Sequence, residues 1–332
     1  MHFRRHSAQV AVDRAPEWSD ASTDSTASKR KARTMDNSDL PTTERMIPVP
    51  GGNVWCRTVG QGGVPLLCLH GGPGMSHDYI ATLADLATRR MVVFYDQLGC
   101  GRSDRPDDPS LWTLERSVAE VAAVCEALGL ERMHLFGNSW GGWLALQYVL
   151  DRQPPLVSLT VSSSPPSVER AVREMNELRR QLPDEVQRVL DDHEARQVFD
   201  CPEYTAAIMV FYKRHLCRLD PWPEGVERAM GPGFGAGPYL TMWGPSEFGP
   251  VLGNLKGWDI TDRLGEIKVP TLLTVGRHDE MWPSHMADMQ AGIPGAELVV
   301  FEDSSHMAFQ EEREAYMATM ERFLERTEAA GT

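Results

Sequence analysis

The chain of 332 residues predicts an α/β fold: a mostly parallel, doubly wound sheet flanked by helices, with an inserted, mainly helical cap. Three observations predict it. Short apolar runs typical of buried strands alternate with helical patterns from residue 65 to residue 163. Charged helices and a stretch dense in aromatic residues then interrupt the alternation. Strand and helix patterns return from residue 270, so the core resumes after the interruption.

The pattern divides the chain into four parts. Residues 1–44 are rich in Ser, Thr, Ala, Asp and Arg, and they have almost no apolar periodicity, so we expect a disordered tail. The first part of the α/β core is predicted over residues 45–164, the cap over 165–255 and the second part of the core over 256–328.

The first elements of the core are a hairpin and a buried strand. Two strand-like runs surround the Gly pair at 51–52, which suits an antiparallel hairpin at the edge of a sheet. Residues 65–69 are a continuous apolar run typical of a buried parallel strand, and His-Gly-Gly-Pro-Gly follows at 70–74. This glycine-rich turn could direct a backbone N–H above the sheet to bind an oxyanion, or it could be only a tight turn.

Later segments supply the remaining strands and helices. Residues 113–128 place apolar side chains at three- and four-residue steps, which predicts an amphipathic helix that Gly129 ends. The other predicted strands lie at 91–95, 133–136, 157–161, 270–275 and 297–301, and the closing helix at 311–326. The cap contains Met and aromatic residues that we expect to be mostly core, with a few of them lining a pocket. They are Trp222, Met230, Phe234, Tyr239, Met242 and Trp243.

Ser139 stands in Gly-Asn-Ser-Trp-Gly, between the strand at 133–136 and a predicted helix at 143–150. Gly-x-Ser-x-Gly in a strand-turn-helix context is typical of a nucleophile elbow, which exposes a serine hydroxyl at the carboxyl end of a strand. Gly137 and Gly141 would let strand and helix approach each other. The pentapeptide alone could also be a glycine-rich connection.

Two further residues complete a catalytic pattern. Asp279 follows the strand at 270–275, and His306 follows the strand at 297–301. A nucleophilic serine needs a base and a carboxylate that orients it, and the order Ser, Asp, His is that of α/β-hydrolases. His278 is a weaker candidate base, because adjacent residues of an extended loop point apart.

Composition limits the other functions. A net charge of −14 argues against nucleic acid or an anionic membrane as the main partner. The six cysteines form no CxxC pair, and we expect them to be reduced and buried. No apolar run approaches a membrane span, so a cytoplasmic enzyme is expected. The sequence has no HExxH, no phosphate-loop lysine and no GxGxxG spacing, so we expect neither a metal site nor a nucleotide site.

Five motifs resemble the proline iminopeptidase (prolyl aminopeptidase) family of α/β-hydrolases over about residues 46–326. They are HGGPG at 70–74, DQLGCGRS at 96–103, GNSWGG at 137–142, GRHDE at 276–280 and SH at 305–306. The chain looks most similar to the branch of the tricorn-interacting aminopeptidase and the L-amino-acid amidases. The resemblance implies cofactor-free release of an N-terminal residue, often proline, through an acyl-enzyme.

The resemblance also implies roles for single residues. Ser139 would be the nucleophile, His306 the general base and then acid, and Asp279 the orienting carboxylate. The oxyanion hole would be formed by the N–H groups of Trp140 and Gly72, with Gly71 the less favoured neighbour of Gly72. The acids that hold the substrate's α-ammonium would be Glu247 and Glu280.

The chain departs from the family at two positions, with Leu98 where Arg is often found and Asn138 where Gly is often found. The expected partner is a small peptide or an amino-acid amide with a free N-terminus, and the oligomeric state stays open. A general esterase or lactonase on the same scaffold is the main alternative. A non-catalytic ligand-binding module is a weaker one, because the triad residues and the oxyanion glycines are all present.

Overall fold

The computed structural model describes residues 40–249 and 251–330. Its centre is an eight-stranded sheet in the order β1-β2-β4-β3-β5-β6-β7-β8. β1 pairs antiparallel with β2 and β2 with β4, while all other pairs are parallel. The strands are β1 (Thr42–Val49), β2 (Gly52–Val59), β3 (Leu66–Leu69), β4 (Val92–Tyr95), β5 (Met133–Asn138), β6 (Leu156–Ser162), β7 (Thr271–Gly276) and β8 (Glu297–Phe301).

Helices cover both faces of the sheet and fill the connection between β6 and β7. Short 3₁₀ helices occur at His77–Thr88, Pro109–Leu111 and Thr261–Glu266. The α-helices are α1 (Leu114–Leu128), α2 (Trp140–Arg152), α3 (Val168–Arg179), α4 (Asp184–Ala195), α5 (Pro202–His215), α6 (Glu224–Met230), α7 (Ala236–Met242), α8 (Pro283–Gly292), α9 (Ala308–Glu311) and α10 (Arg313–Ala330).

The mostly parallel, doubly wound sheet is the fold class that the sequence predicts. The edge hairpin is present, and β1 begins at Thr42, inside the segment expected to be tail. The rest of that segment, residues 1–39, lies outside the described residues. The helix α1 begins where its N-cap Thr113 accepts a hydrogen bond from the Arg116 N–H at 3.2 Å, and it ends at Gly129 with φ of 64°.

The sheet separates two apolar cores because alternate strand residues point to opposite faces. Leu67 and Leu69 of β3 pack in one core, with α1, α2 and α8. Leu66 and Cys68 pack in the other, with the 3₁₀ helix His77–Thr88 and α10. All six cysteines are free; Cys201, at the start of α5, is partly exposed, so only the other five match the expected burial.

Helices α3 to α7 occupy the segment that the sequence assigns to the cap. We call residues 165–255 the helical insert. The exact division between core and insert stays a prediction, although the change from strands to helices falls where the pattern changes. Within the described part of the chain, no helix is both long enough and apolar enough to cross a membrane.

The order in which successive strands are added across the sheet reverses at β3. From β3 the chain moves outward to β4, and β5 then lies on the opposite side of β3. Such a switch point leaves a crevice at the carboxyl ends of the two strands, where ligands of open α/β sheets bind. The loop after β3 and the turn after β5 therefore meet at this crevice.

An ion pair between a buried arginine and a half-buried glutamate fastens α10 to the core, and it generates a stability prediction. Arg90 is 2% exposed and pairs with Glu328, which also contacts His134 Nε2 at 2.9 Å. We expect Glu328→Ala to lower the free energy of unfolding by about 2–4 kcal/mol, because it leaves a buried guanidinium without its counter-charge. Urea unfolding followed by circular dichroism measures this.

The matched control removes an exposed acid, Glu325, from the same helix. Arg89, which is 59% exposed, pairs with Glu325, and Glu325→Ala should cost less than about 1 kcal/mol. Equal losses in the two variants would contradict the assignment of the pair of Arg90 and Glu328.

Candidate active site

Ser139 occupies a strained turn between β5 and α2. Its φ of 56° and ψ of −127° lie where residues other than glycine are rarely found. The residue directly precedes the first turn of α2, and its side chain lines a cavity above the carboxyl end of β5. This is the geometry of a nucleophile elbow, which exposes the serine hydroxyl to a ligand.

The glycines around Ser139 permit a very close approach of backbones. A Cβ atom at Gly137 would lie 2.2 Å from the Gly141 oxygen, and one at Gly141 would lie 2.2 Å from the Leu69 oxygen. Such distances exclude any side chain. The two glycines therefore let β5, α2 and β3 meet at one point, as the sequence predicts.

The loop after β3 brings a second set of backbone groups to the crevice. The Gly71 N–H donates to Tyr79 Oη at 2.7 Å, and Tyr79 Oη donates to Asn138 Oδ1 at 2.7 Å. Gly72 lines the cavity, and neither its N–H nor that of Trp140 has a hydrogen-bond acceptor among the described residues. Because the Gly71 N–H is already occupied, the free donors at the crevice are Gly72 and Trp140.

Buried side chains hold this loop against the elbow. Trp140 Nε1 donates to Gln97 Oε1 at 2.8 Å, and Gln97 Nε2 donates to the His70 carbonyl at 2.8 Å. The Gln97 N–H also donates to His70 Nε2 at 2.9 Å. Burial lowers the pKa of His70 to about 4, so its ring is neutral and can accept this hydrogen bond. The glycine-rich loop is thus fixed relative to Ser139.

Asp279 and His306, which lie far apart in the sequence, meet in the structure. Asp279 follows β7, His306 follows β8, and His306 Nδ1 lies 2.7 Å from Asp279 Oδ1. Both residues are almost fully buried. A hydrogen bond from Nδ1–H to the carboxylate orients the ring and leaves Nε2 to exchange protons.

The end of α5 fastens the two loops that carry these side chains. The His215 carbonyl accepts a hydrogen bond from the Glu280 N–H at 3.3 Å and another from the His306 N–H at 3.2 Å. The His215 ring contacts the His278 carbonyl at 2.8 Å through Nδ1. The helical insert therefore supports the arrangement of Asp279 and His306 directly. His278 itself is exposed and does not line the cavity, so it is poorly placed to act as the base.

Ser139 and His306 line the same cavity, but no hydrogen bond joins them. Catalytic hydrogen bonds are often long in free enzymes and shorten when substrate binds. The cavity has a volume of about 360 Å³ and is lined mainly by apolar and aromatic side chains. Four of the aromatic and Met residues named from the sequence line it: Met230, Phe234, Tyr239 and Trp243.

Two acids, the half-buried Glu247 and the buried Glu280, face the same cavity. Glu247 Oε2 accepts hydrogen bonds from Tyr212 Oη and from Tyr239 Oη, both at 2.9 Å. Glu280 Oε1 lies 3.7 Å from His306 Nε2, and Glu280 Oε2 has no hydrogen-bond partner among the described residues. A buried carboxylate oxygen without a donor is costly, so a cationic ligand that supplied one would be bound strongly.

The pKa values in the cavity are displaced together. Burial raises the pKa of Glu247, against the hydrogen bonds from Tyr239 and Tyr212. Burial also raises the pKa of Glu280 to about 8, with Glu247 and Asp279 adding to the effect and His306 opposing it. Burial by itself lowers the pKa of His306, but the carboxylates of Asp279, Glu280 and Glu247 together raise it to about 9.

The structure thus brings all seven candidate residues of the sequence to one region. Ser139, His306, Gly72, Glu247 and Glu280 line the cavity, while Asp279 and the Trp140 N–H lie directly behind this lining. No sequence pattern indicates the role of Tyr79, because the position of its hydroxyl depends on how a 3₁₀ helix packs. Its partner Asn138 is one of the two departures from the family pattern, and the other, Leu98, is buried.

The sequence model of the alpha/beta hydrolase fold family matches residues 64–313 of this chain. A proline iminopeptidase of Saccharolobus solfataricus is 42% identical over 262 residues, which cover 78% of this chain and 84% of the relative. A proline iminopeptidase of Heyndrickxia coagulans is also 42% identical, over 85% of this chain and 98% of the relative.

Two solved structures are similar over almost their whole length. VinJ has a TM-score of 0.82 and 36% identity, covering 86% of this chain and 99% of its own. A proline iminopeptidase of Mycobacterium smegmatis has a TM-score of 0.80 and 37% identity, covering 87% of this chain and 100% of its own.

The Tyr79 hydrogen bonds generate a prediction about turnover. Tyr79→Phe leaves the Gly71 N–H and Asn138 Oδ1 without their shared partner, so the loop that carries Gly72 should shift. We expect kcat for nitrophenyl acetate to fall by about tenfold with little change in KM, since a lost buried hydrogen bond costs about 1–3 kcal/mol.

Tyr148→Phe is the matched control, because the Tyr148 hydroxyl contacts Cys125 Sγ at 3.9 Å and does not line the cavity. Stopped-flow kinetics of nitrophenyl acetate hydrolysis gives kcat and KM for both variants. Equal rates in the two variants would contradict a positioning role for Tyr79.

Proposed function

The chain belongs to the proline iminopeptidase family of α/β-hydrolases, and from this premise we propose that it is a serine aminopeptidase that uses Ser139, His306 and Asp279. It would release an N-terminal proline, or a small or apolar residue, from a peptide or an amino-acid amide. The observation that carries the proposal is that two acids, Glu247 and Glu280, share one cavity with the serine and the imidazole. That arrangement suits a substrate with a reactive carbonyl next to a free amine.

In the proposed reaction His306 Nε2 takes the proton of Ser139 as Oγ attacks the carbonyl carbon. The C–N bond then breaks, and the imidazolium gives its proton to the leaving amine. Water hydrolyses the acyl-enzyme by the same two proton transfers in reverse order. Asp279 holds the imidazole in the required tautomer through the hydrogen bond to Nδ1, and this orientation is supported by the 2.7 Å distance.

The N–H groups of Gly72 and Trp140 would bind the oxyanion of the tetrahedral intermediate. Two observations support this role. Both N–H groups lack an acceptor within the described part of the chain, and Gly72 faces the cavity that Ser139 lines. Preorganised donors stabilise negative charge as it develops, and removing one donor typically costs about 100- to 1000-fold in kcat. The Gly71 N–H is not part of this proposal, because it already donates a hydrogen bond to Tyr79 Oη.

Glu247 and Glu280 would bind the substrate's α-ammonium. Three features support this role: both line the cavity, Glu280 is buried and Glu247 half-buried, and Glu280 Oε2 lacks a donor among the described residues. A substrate with a blocked N-terminus brings no cation and leaves the acids unpaired, so it would be rejected. The enzyme would in this way recognise the end of a peptide chain.

Esterases with the same fold share only 21% to 22% identity with this chain, and that likeness shows the fold alone. An esterase that acts on uncharged substrates has no use for two acids in its pocket. The acids therefore favour the aminopeptidase over the esterase or lactonase. A non-catalytic binding module would not need the strained Ser139 turn or the hydrogen-bonded Asp279 and His306.

A substrate panel tests the proposal. Purified enzyme should cleave Pro- and Ala-nitroanilides and spare N-acetyl-Ala-nitroanilide, because only the free amines supply a cation for the acids. Ser139→Ala should abolish turnover, with a loss of about a millionfold in kcat by analogy with other serine hydrolases. The measurement is kcat/KM for each anilide, with Leu- and Phe-nitroanilides added to define the size of the pocket.

Phenylmethylsulfonyl labelling of Ser139, read by mass spectrometry, shows whether the serine is reactive in a preparation that cleaves none of the anilides. Cleavage of nitrophenyl acetate alone would refute the aminopeptidase proposal and leave the esterase. Equal cleavage of the acetylated and free anilides would contradict the amine-binding role of the acids.

A further inference from the structure

Both nitrogens of the His306 ring face a carboxylate in the unliganded cavity. Nδ1 contacts Asp279 at 2.7 Å, and Nε2 lies 3.7 Å from Glu280 Oε1. Nε2 is the atom that must accept the proton of Ser139 in the proposed reaction. In the empty site it therefore lies beside an acid that favours keeping a proton on it.

The charges around His306 are strongly unbalanced. Asp279 and Glu280 approach the ring from the loop after β7, and Glu247 faces it from the helical insert. No Lys or Arg lines the cavity in the described ranges, and burial lowers the pKa of the adjacent His215. The tyrosines that line the cavity are neutral because burial raises their pKa values; they are Tyr79, Tyr204, Tyr212 and Tyr239. Three carboxyl groups thus surround one basic side chain, the imidazole of His306.

Among the described residues that line the cavity, His306 is the only one that can carry a positive charge. The three carboxyls raise its pKa against the effect of burial, so they favour the imidazolium. An imidazolium cannot take the proton of Ser139, so this arrangement favours an inactive protonation state of the base before a substrate amine binds.

We propose that the substrate's ammonium activates the general base: it takes over Glu280 and Glu247 as their counter-ion and so releases the proton from His306. Glu280 then has two roles, since it binds the amine and also controls His306. This inference rests on the proposed function, because it needs a substrate that carries an ammonium group.

The protons balance in this scheme. One positive charge enters with the substrate, and one proton leaves His306 Nε2 for solvent. The neutral Nε2 then accepts the proton of Ser139 as the Oγ–C bond forms, and it passes that proton to the nitrogen of the leaving amine as the C–N bond breaks. No other reactant is required.

A simple anchor and an activating switch differ in what they predict for an uncharged ester. If Glu280 only binds the amine, Glu280→Gln leaves ester hydrolysis unchanged. If Glu280 also holds the proton on His306, the same variant makes ester hydrolysis faster at neutral pH, because the base loses a negative neighbour. A merely structural role predicts the opposite sign, since a damaged cavity slows both reactions.

The test measures kcat/KM for nitrophenyl acetate from about pH 5.5 to about pH 10, where this ratio reports the base of the free enzyme. We expect Glu280→Gln to lower the apparent pKa of the rising limb by about one unit and to raise the rate at neutral pH by about five- to tenfold. The same variant should lose most of its activity on Pro-nitroanilide.

Two control variants separate this effect from a general change of charge. Glu247→Gln should also impair Pro-nitroanilide cleavage, but it should move the ester profile less, because Tyr212 and Tyr239 hold that carboxylate and it makes no ion pair with His306. Glu302→Gln removes an exposed acid that pairs with Arg277, and it should change neither profile.

A second measurement needs no substitution at Glu280. Pyrrolidinium chloride, a small cation without a carbonyl, should accelerate nitrophenyl acetate hydrolysis by the wild-type enzyme at neutral pH by binding between the two acids. The acceleration should be absent in Glu280→Gln, and Ser139→Ala supplies the blank for reaction of the amine itself.

An unchanged ester profile in Glu280→Gln, together with no acceleration by pyrrolidinium, would overturn the inference and leave Glu280 as an anchor. Failure of the proposed function looks different: the wild-type enzyme would then cleave no free-amine anilide. The ester profile and the pyrrolidinium effect would still report whether Glu280 controls His306.

Discussion

The close approach of β3, β5 and α2 at Ser139 is the constraint on which the site depends. Gly137 and Gly141 leave no room for a Cβ atom, and only this contact places the Ser139 turn above the carboxyl ends of both strands. The same contact brings the loop after β3 beside the first turn of α2. The N–H groups of Gly72 and Trp140, which have no acceptor within the described part of the chain, then lie close to Ser139 without any dedicated side chain.

The second organising feature is electrostatic. Three carboxyls, of Asp279, Glu280 and Glu247, surround the one imidazole of His306 and raise its pKa. In the proposed function a free amine would relieve this imbalance of charge and an uncharged group would not. Recognition of the chain end and readiness of the base would then arise from one set of charges.

The helical insert takes part in the chemistry as well as covering it. It contributes Glu247 and the two tyrosines that hold that acid, and the carbonyl of its residue His215 fixes the backbone of both Glu280 and His306. A change in the insert would therefore alter the pocket and also the relative position of the acid and the base. This coupling explains why the loops after β7 and β8, which are far apart in sequence, keep a common geometry.

The sequence by itself determined the fold class and indicated Ser139, Asp279 and His306 as candidate catalytic residues, because apolar periodicity and glycine spacing are local properties. Tertiary structure alone decided which donors stay free, how Tyr79 fills the space behind the loop, and that Glu280 lies against His306. These are contacts between residues distant in the chain, and their distances depend on how β7, β8 and the insert pack. Local patterns carry no information about such packing, so the protonation of the base could be inferred only after the fold was known.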